Sequence, residues 1–207
     1  MADKSYPYIV SKELGMTLTN VAVSGRAMLN FHDLIAGYAE DYDLITVLLG
    51  TNNQGYNSAI GELNDSFYTK GEYTSNSSFI AQTQRLIDLL LEKYPDKVIA
   101  FLTPIRRTST SDANSNNDEG YQVNALGLTT EPYVEAVKKV CDYYGIPCLD
   151  LYHYGINPKE LWMRQKYFLN ENGTDGTHPN NLGHSKYIAP KVTAFLKEIA
   201  PFDVSEE

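Results

Sequence analysis

Cysteine is scarce in this sequence: Cys141 and Cys148 are the only two among 207 residues. One falls on an expected helix and the other on an expected strand, so they make no disulfide framework. Buried free thiols are the expectation. Positive charge is also in short supply, with 17 Lys and Arg against 26 Asp and Glu and a formal net charge of −9. Nucleic acids and anionic membrane surfaces are held by stripes of Lys and Arg, so this balance argues against either as the main partner. No apolar run approaches the roughly 20 residues that span a bilayer. The opening Met1-Ala2-Asp3-Lys4-Ser5 lacks the apolar core of a signal peptide. The chain as it stands is therefore not expected to be a secretory precursor, and its compartment is left open.

Hydrophobic residues make up 43% of the chain, in the range of ordinary globular proteins. The length suits one α/β domain with a substantial core, and a single domain over residues 1–207 is expected. Near-continuous apolar runs at 19–23, 44–49, 98–103 and 146–150 read as buried parallel strands. They alternate with segments of helical period at 78–94, 131–144 and 182–199, which makes the fold class α/β with a mainly parallel sheet. Segments 53–77 and 106–124 break this rhythm with Gly, Asn, Ser and Tyr, and read as long loops, the second of them mobile. Both follow the carboxyl ends of strands, where open α/β sheets bind ligands. Tyr56, Tyr68, Tyr73 and Tyr121 lie in these loops, where they either stack on sugar faces or pack the loops down. Arg106-Arg107 offers a grip on a carboxylate or hydroxyl.

Two short segments carry chemistry. Asp175-Gly176-Thr177-His178-Pro179 places a carboxylate and an imidazole three residues apart on a turn before a helix. In such a turn one Asp oxygen can reach His Nδ1 and leave Nε2 facing a cleft, the arrangement of a general base and its orienter. A capped turn with an exposed His, or a pair of metal ligands, would look similar, although His32, His153 and His184 show no ligand spacing. Gly50-Thr51-Asn52 follows the strand at 44–49, where Asn52 could aim its amide at a developing oxyanion, or simply form a turn. Gly25, at the end of the strand at 19–23, could supply a backbone N–H to the same anion or make a turn of its own.

These blocks, in this order and with these strand contexts, resemble the SGNH (GDSL-type) hydrolase family. Gly25 matches the family's second block, Asn52 the third, and Asp175 with His178 the fourth. The resemblance extends over Thr103-Pro104-Ile105 and over the strand at 146–150, and so covers nearly the whole chain. It implies a three-layer α/β/α flavodoxin-like sandwich, no cofactor and no metal, and hydrolysis of small-molecule or carbohydrate esters such as acetylated sugars or short acyl chains. On it His178 is the general base, Asp175 its orienter, and Gly25 and Asn52 the oxyanion donors. The family's first block, a Gly-Asp-Ser at the end of the first strand, occurs nowhere in this sequence. Ser24 lies where the family places an oxyanion donor, Ser5 suits a helix N-cap, and Ser109 and Ser111 fall on the loop, so none stands in for it. The nucleophile and a central strand are thus expected to be missing. The vacant strand position would be filled by another chain, by an additional N-terminal segment, or by direct pairing of 19–23 with 44–49. The resemblance leaves a second reading open, a non-catalytic carbohydrate-binding or assembly module on the same fold.

Overall fold

The computed structural model describes residues 4–66, 68, 77–110, 112–115, 121–170 and 175–200. The chain divides into two compact units: Met1–Ala22 with Ile105–Gln122 and His153–Glu207, and Val23–Pro104 with Val123–Tyr152.

The second unit is built on a parallel sheet. Its strands are β1 (Leu44–Leu48), β2 (Val98–Leu102) and β3 (Cys148–Leu149), in the order β1-β2-β3. β2 is the central strand, pairing Leu44↔Val98 through Leu48↔Leu102 on one side and Phe101↔Cys148 and Leu102↔Leu149 on the other. Ile99, Ala100, Phe101 and Leu102 are all buried, as a strand covered on both faces requires. In the same unit lie α2 (Leu29–His32), α3 (Thr51–Gly55), α4 (Phe79–Lys93) and α5 (Glu131–Tyr144). One apolar cluster joins Met28 and Phe31 of the α2 region, Val47 of β1, Phe79, Ile87 and Leu90 of α4, Phe101 of β2, and Val137 and Val140 of α5. Helices thus flank a parallel sheet, consistent with the flavodoxin-like fold expected from the sequence.

Two strands depart from expectation. Residues 19–23 form no strand; 17–26 are exposed throughout, with Val21 40% and Val23 50% accessible. The run is apolar enough for a strand, but strand geometry is held by a neighbour's ladder, and β1 pairs only with β2 among the described residues. Direct pairing of 19–23 with 44–49 is therefore not formed. The run at 146–150 keeps only Cys148–Leu149 as strand. The cause is Thr103, fully buried at the end of β2, whose Oγ1 accepts the N–H groups of Leu151 (2.9 Å) and Tyr152 (3.2 Å). A side-chain hydroxyl has replaced the next rungs of the ladder.

The helices follow their sequence signals closely. Ser78 caps α4, accepting the Ala81 N–H at 3.2 Å, and Glu131–Tyr144 stops at left-handed Gly145. Gln82 and Asp88 of α4 are matched, whereas Nε and Nη1 of buried Arg85 meet no hydrogen-bond partner among the described residues. Gln82 donates to the Ser77 carbonyl and accepts from Asn53, and Asp88 accepts the hydroxyls of Tyr144 (3.0 Å) and Tyr68. The carbonyl of Gln82 also takes the Nε2–H of buried His32 at 2.9 Å.

The first unit holds α1 (Tyr6–Glu13), α6 (Leu161–Tyr167), α7 (Asn181–Gly183) and α8 (Ala189–Ile199), with a π-helical turn over His184–Ile188 joining the last two. α1 lies on α8, where the Thr193 hydroxyl donates to Glu13 at 2.7 Å. Tyr6 stacks on His184 with centroids 6.1 Å apart. The segment at 106–124 is irregular, as expected, yet its described residues are tied down. Thr108 bridges Tyr121, Asp112 bridges Asp175, and the Tyr121 ring lies beneath Arg106 and Lys159. Arg164 of α6, 2% exposed, donates to the carbonyls of Pro158 (2.7 Å) and Ser115. Tyr121 is thus a packing residue within this unit, and Tyr68 serves the same purpose on α4; Tyr73 lies outside the described residues.

Two outcomes follow from these buried polar groups. Arg164→Met keeps most of the volume but strands two carbonyls, and should lower the unfolding free energy by about 2–4 kcal/mol in urea titrations. Burial, with Arg85 acting in the same direction, outweighs the hydrogen bond to Gln82 and the nearby Asp33, and lowers the pKa of His32 from 6.5 to about 4. Between these values the unfolded chain binds a proton here that the folded chain does not. The stability owed to neutral His32 is therefore complete above pH 6.5 and is lost as the pH falls toward 4. Unfolding titrations from pH 7 to 4.5 should show this decline, with a shallower slope in His32→Gln.

Candidate active site

The Asp175–His178 turn is built by the carboxylate itself. Asp175 Oδ1 accepts the backbone N–H groups of Thr177 (2.8 Å) and His178 (3.0 Å), while Oδ2 faces His178 Nδ1 at 3.0 Å. A carboxylate only accepts, so Nδ1 carries a proton, and in the neutral ring Nε2 is the acceptor. The imidazole projects into solvent, 78% exposed against 29% for the Asp175 side chain. Partial burial works against ionisation of Asp175. The two N–H groups and the His178 ring outweigh it and hold the carboxyl below its ordinary pKa. Arg107, half-buried on the segment that bridges to Asp175, adds a neighbouring cation, though burial lowers its own pKa.

What holds this turn in place is Asn180. Its Oδ1 accepts the N–H groups of Leu182 (2.9 Å) and Gly183 (3.0 Å), and its Nδ2 donates to the carbonyls of Lys166 (3.0 Å) and Leu169 (2.9 Å). Its backbone N–H adds a bond to the Tyr167 carbonyl at 2.7 Å. The turn is thereby fixed to the end of α6. Gly183 completes the junction by close approach: a Cβ there would lie 2.6 Å from the Tyr167 carbonyl oxygen and 3.1 Å from Pro179 Cβ. Neither residue stood out in the sequence, although Asn followed by a helical period is an N-cap signal that could have found Asn180.

The other two candidates meet in the second unit. Gly50, at φ +117, ends β1 with its virtual Cβ 3.0 Å from Pro104 Cγ and 3.2 Å from Phe79 Cζ, so only glycine fits. It launches α3, in which three consecutive amides hold three different partners. Asn52 Nδ2 donates to the Arg26 carbonyl (2.8 Å), Asn53 Oδ1 accepts the Met28 N–H (3.1 Å), and Gln54 Nε2 donates to the Leu128 carbonyl (3.2 Å). Tyr56, just after α3, donates its hydroxyl to the Gly25 carbonyl at 2.7 Å. Gly25 occupies an exposed turn at φ +77 and is brought to the same place as Asn52, pinned by α3 rather than by a strand. An amide NH2 has two protons, so Asn52 retains one N–H beyond its bond to Arg26. Tyr56 and Asn53 were not foreseen as the residues that align this pair.

A parallel sheet flanked by helices is the frame of the flavodoxin-like α/β class. The chain belongs to the GDSL-like lipase/acylhydrolase family, whose model matches residues 2–186. Solved structures resemble it over most of their length. A protein from Lactobacillus plantarum is 24% identical, with a TM-score of 0.74 over 94% of this chain and 88% of that one. A structure described as a possible lipase from Chitinophaga pinensis is 18% identical, with a TM-score of 0.69 over 95% and 90%. An alpha/beta hydrolase enzyme from the metagenome of Lake Arreo is 16% identical, with a TM-score of 0.61 over 95% and 83%. No curated protein sequence matches this chain.

Asn180→Ala removes a cap and two donors at once and should cost on the order of 2–4 kcal/mol of stability. In the same variant the imidazole signals of His178 should broaden in NMR spectra; unchanged signals would separate the turn from its anchor.

Proposed function

We propose that this chain is an ester-hydrolase domain of the SGNH type that carries the base, its orienter and the oxyanion donors, but not the nucleophile. The observation that carries the reading is the 3.0 Å contact between Asp175 Oδ2 and His178 Nδ1, which directs Nε2 of an exposed ring away from the carboxylate. A base so oriented removes the proton from a serine hydroxyl as it attacks an ester carbonyl, and returns it to the leaving alcohol. The Gly25 N–H and the second N–H of Asn52 would stabilise the tetrahedral oxyanion. The substrate class is a small-molecule or carbohydrate ester. The sequence contains no Gly-Asp-Ser, so hydrolysis would need that block from an additional segment or a partner chain.

The same absence favours a second reading, a carbohydrate-binding or assembly module that keeps the hydrolase frame without turnover. Labelling with a fluorophosphonate and intact-mass detection separates the two. The chain alone should give no stoichiometric adduct. A form extended at its start by a strand ending in Gly-Asp-Ser should give one, mapped to that serine and abolished by His178→Ala. An extended form that folds but stays unlabelled would favour the binding module. Labelling indifferent to His178→Ala would remove His178 as the base. In a labelled, active form, Asn52→Ala should reduce turnover of an acetyl ester by about 10²–10³; near-normal turnover would take Asn52 out of the oxyanion hole.

A further inference from the structure

The hydrolase reading has no use for the two cysteines, yet the fold brings them together. Cys141 lies on the inner side of α5, 1% exposed and part of the main apolar cluster. Cys148 is half-buried on β3, paired with Phe101. Both residues line one open surface hollow, beside Lys138 and Asp142, and Cys148 packs against the apolar cluster that holds Cys141. The connection between them is held firmly at its start. The Ile146 N–H donates to the Cys141 carbonyl at 2.9 Å and the Gly145 N–H to the Asp142 carbonyl at 3.1 Å, the paired bonds of a Schellman turn with Gly145 left-handed at φ +68. The Phe101 N–H to the Pro147 carbonyl, at 2.9 Å, then fixes the entry to β3.

We propose that Cys141 and Cys148 are a modification site at which a low-molecular-weight disulfide is exchanged for an intramolecular disulfide linking α5 to β3. Entry is at Cys148, the less buried of the two residues. Its thiolate attacks one sulfur of the small disulfide RSSR, forming a mixed disulfide and releasing one thiolate RS⁻. Cys141 then loses its proton and attacks the Cys148 sulfur, expelling the second RS⁻. After the thiolates take up the two protons given by the cysteines, the balance is protein dithiol plus RSSR to protein disulfide plus two RSH. The neighbouring Cys148 and burial raise the pKa of Cys141, so its proton leaves only as it attacks the mixed disulfide. The link leaves the Asp175–His178 turn untouched and stands independently of the hydrolase reading.

The test is incubation of the folded chain with oxidised glutathione, followed by intact mass and non-reducing peptide mapping. The expected product is a monomer lighter by two hydrogens, with the bond inside the peptide that contains both cysteines, and reversed by dithiothreitol. Cys141→Ser should stop at a stable glutathione adduct on Cys148, while Cys148→Ser should remain unmodified. Circular dichroism confirms that each form is folded, and Cys141→Ala substitutes if the serine variant is not. A wild-type chain that accumulates a stable glutathione adduct, links to a second chain, or stays reduced at saturating oxidant would overturn the proposal.

Discussion

The parallel ladder between β1 and β2 is the constraint on which the second unit depends. Its register, Leu44↔Val98 to Leu48↔Leu102, sets both strands to end at the same level. Gly50 follows one strand and Thr103 the other, and each turns the chain by its own means. Gly50 does so through a left-handed backbone packed against Pro104 and Phe79, Thr103 through a hydroxyl that takes over from the sheet. A residue with a Cβ at Gly50 would push against Pro104 and Phe79 and disturb the start of α3. The amide of Asn52 owes its position to that turn.

Polar side chains buried beside this ladder give the packing its specificity. Apolar contacts among Phe79, Ile87, Phe101 and Val137 favour burial but tolerate many arrangements. The amides of Asn53 and Gln82 and the carboxylate of Asp88 do not, because each must find its partner or bear the cost of desolvation. The other unit solves the same problem with Arg164 and Asn180. Arg164 satisfies backbone carbonyls of irregular segments, and Asn180 those at the end of α6, which would otherwise go unmet.

The chemistry-bearing turn was legible because it is local. Asp175 reaches Thr177, His178 and the His178 ring within four residues, so spacing alone limits what the carboxylate can touch. Helices were legible for a related reason. The period of α4 and α5, Ser78 before one and Gly145 after the other, act within a turn or two of chain. Asn52 was legible as a candidate but not in its setting. Its bond to the Arg26 carbonyl and the companion bond from Tyr56 to Gly25 cross from α3 to a distant turn, and no spacing rule links them.

By itself the sequence determined the α/β alternation, the limits of α4 and α5, the Asp–His turn and the family. Tertiary structure alone decided that 19–23 stays unpaired, that β3 is cut to two residues, that Asn180 anchors the His178 turn, and that Cys141 and Cys148 line one hollow. The division has one physical origin. Helices and short turns satisfy their backbone groups from nearby residues, so local sequence specifies them. A strand or a capping hydroxyl is completed by a partner far along the chain, and only folding selects which partner is in reach.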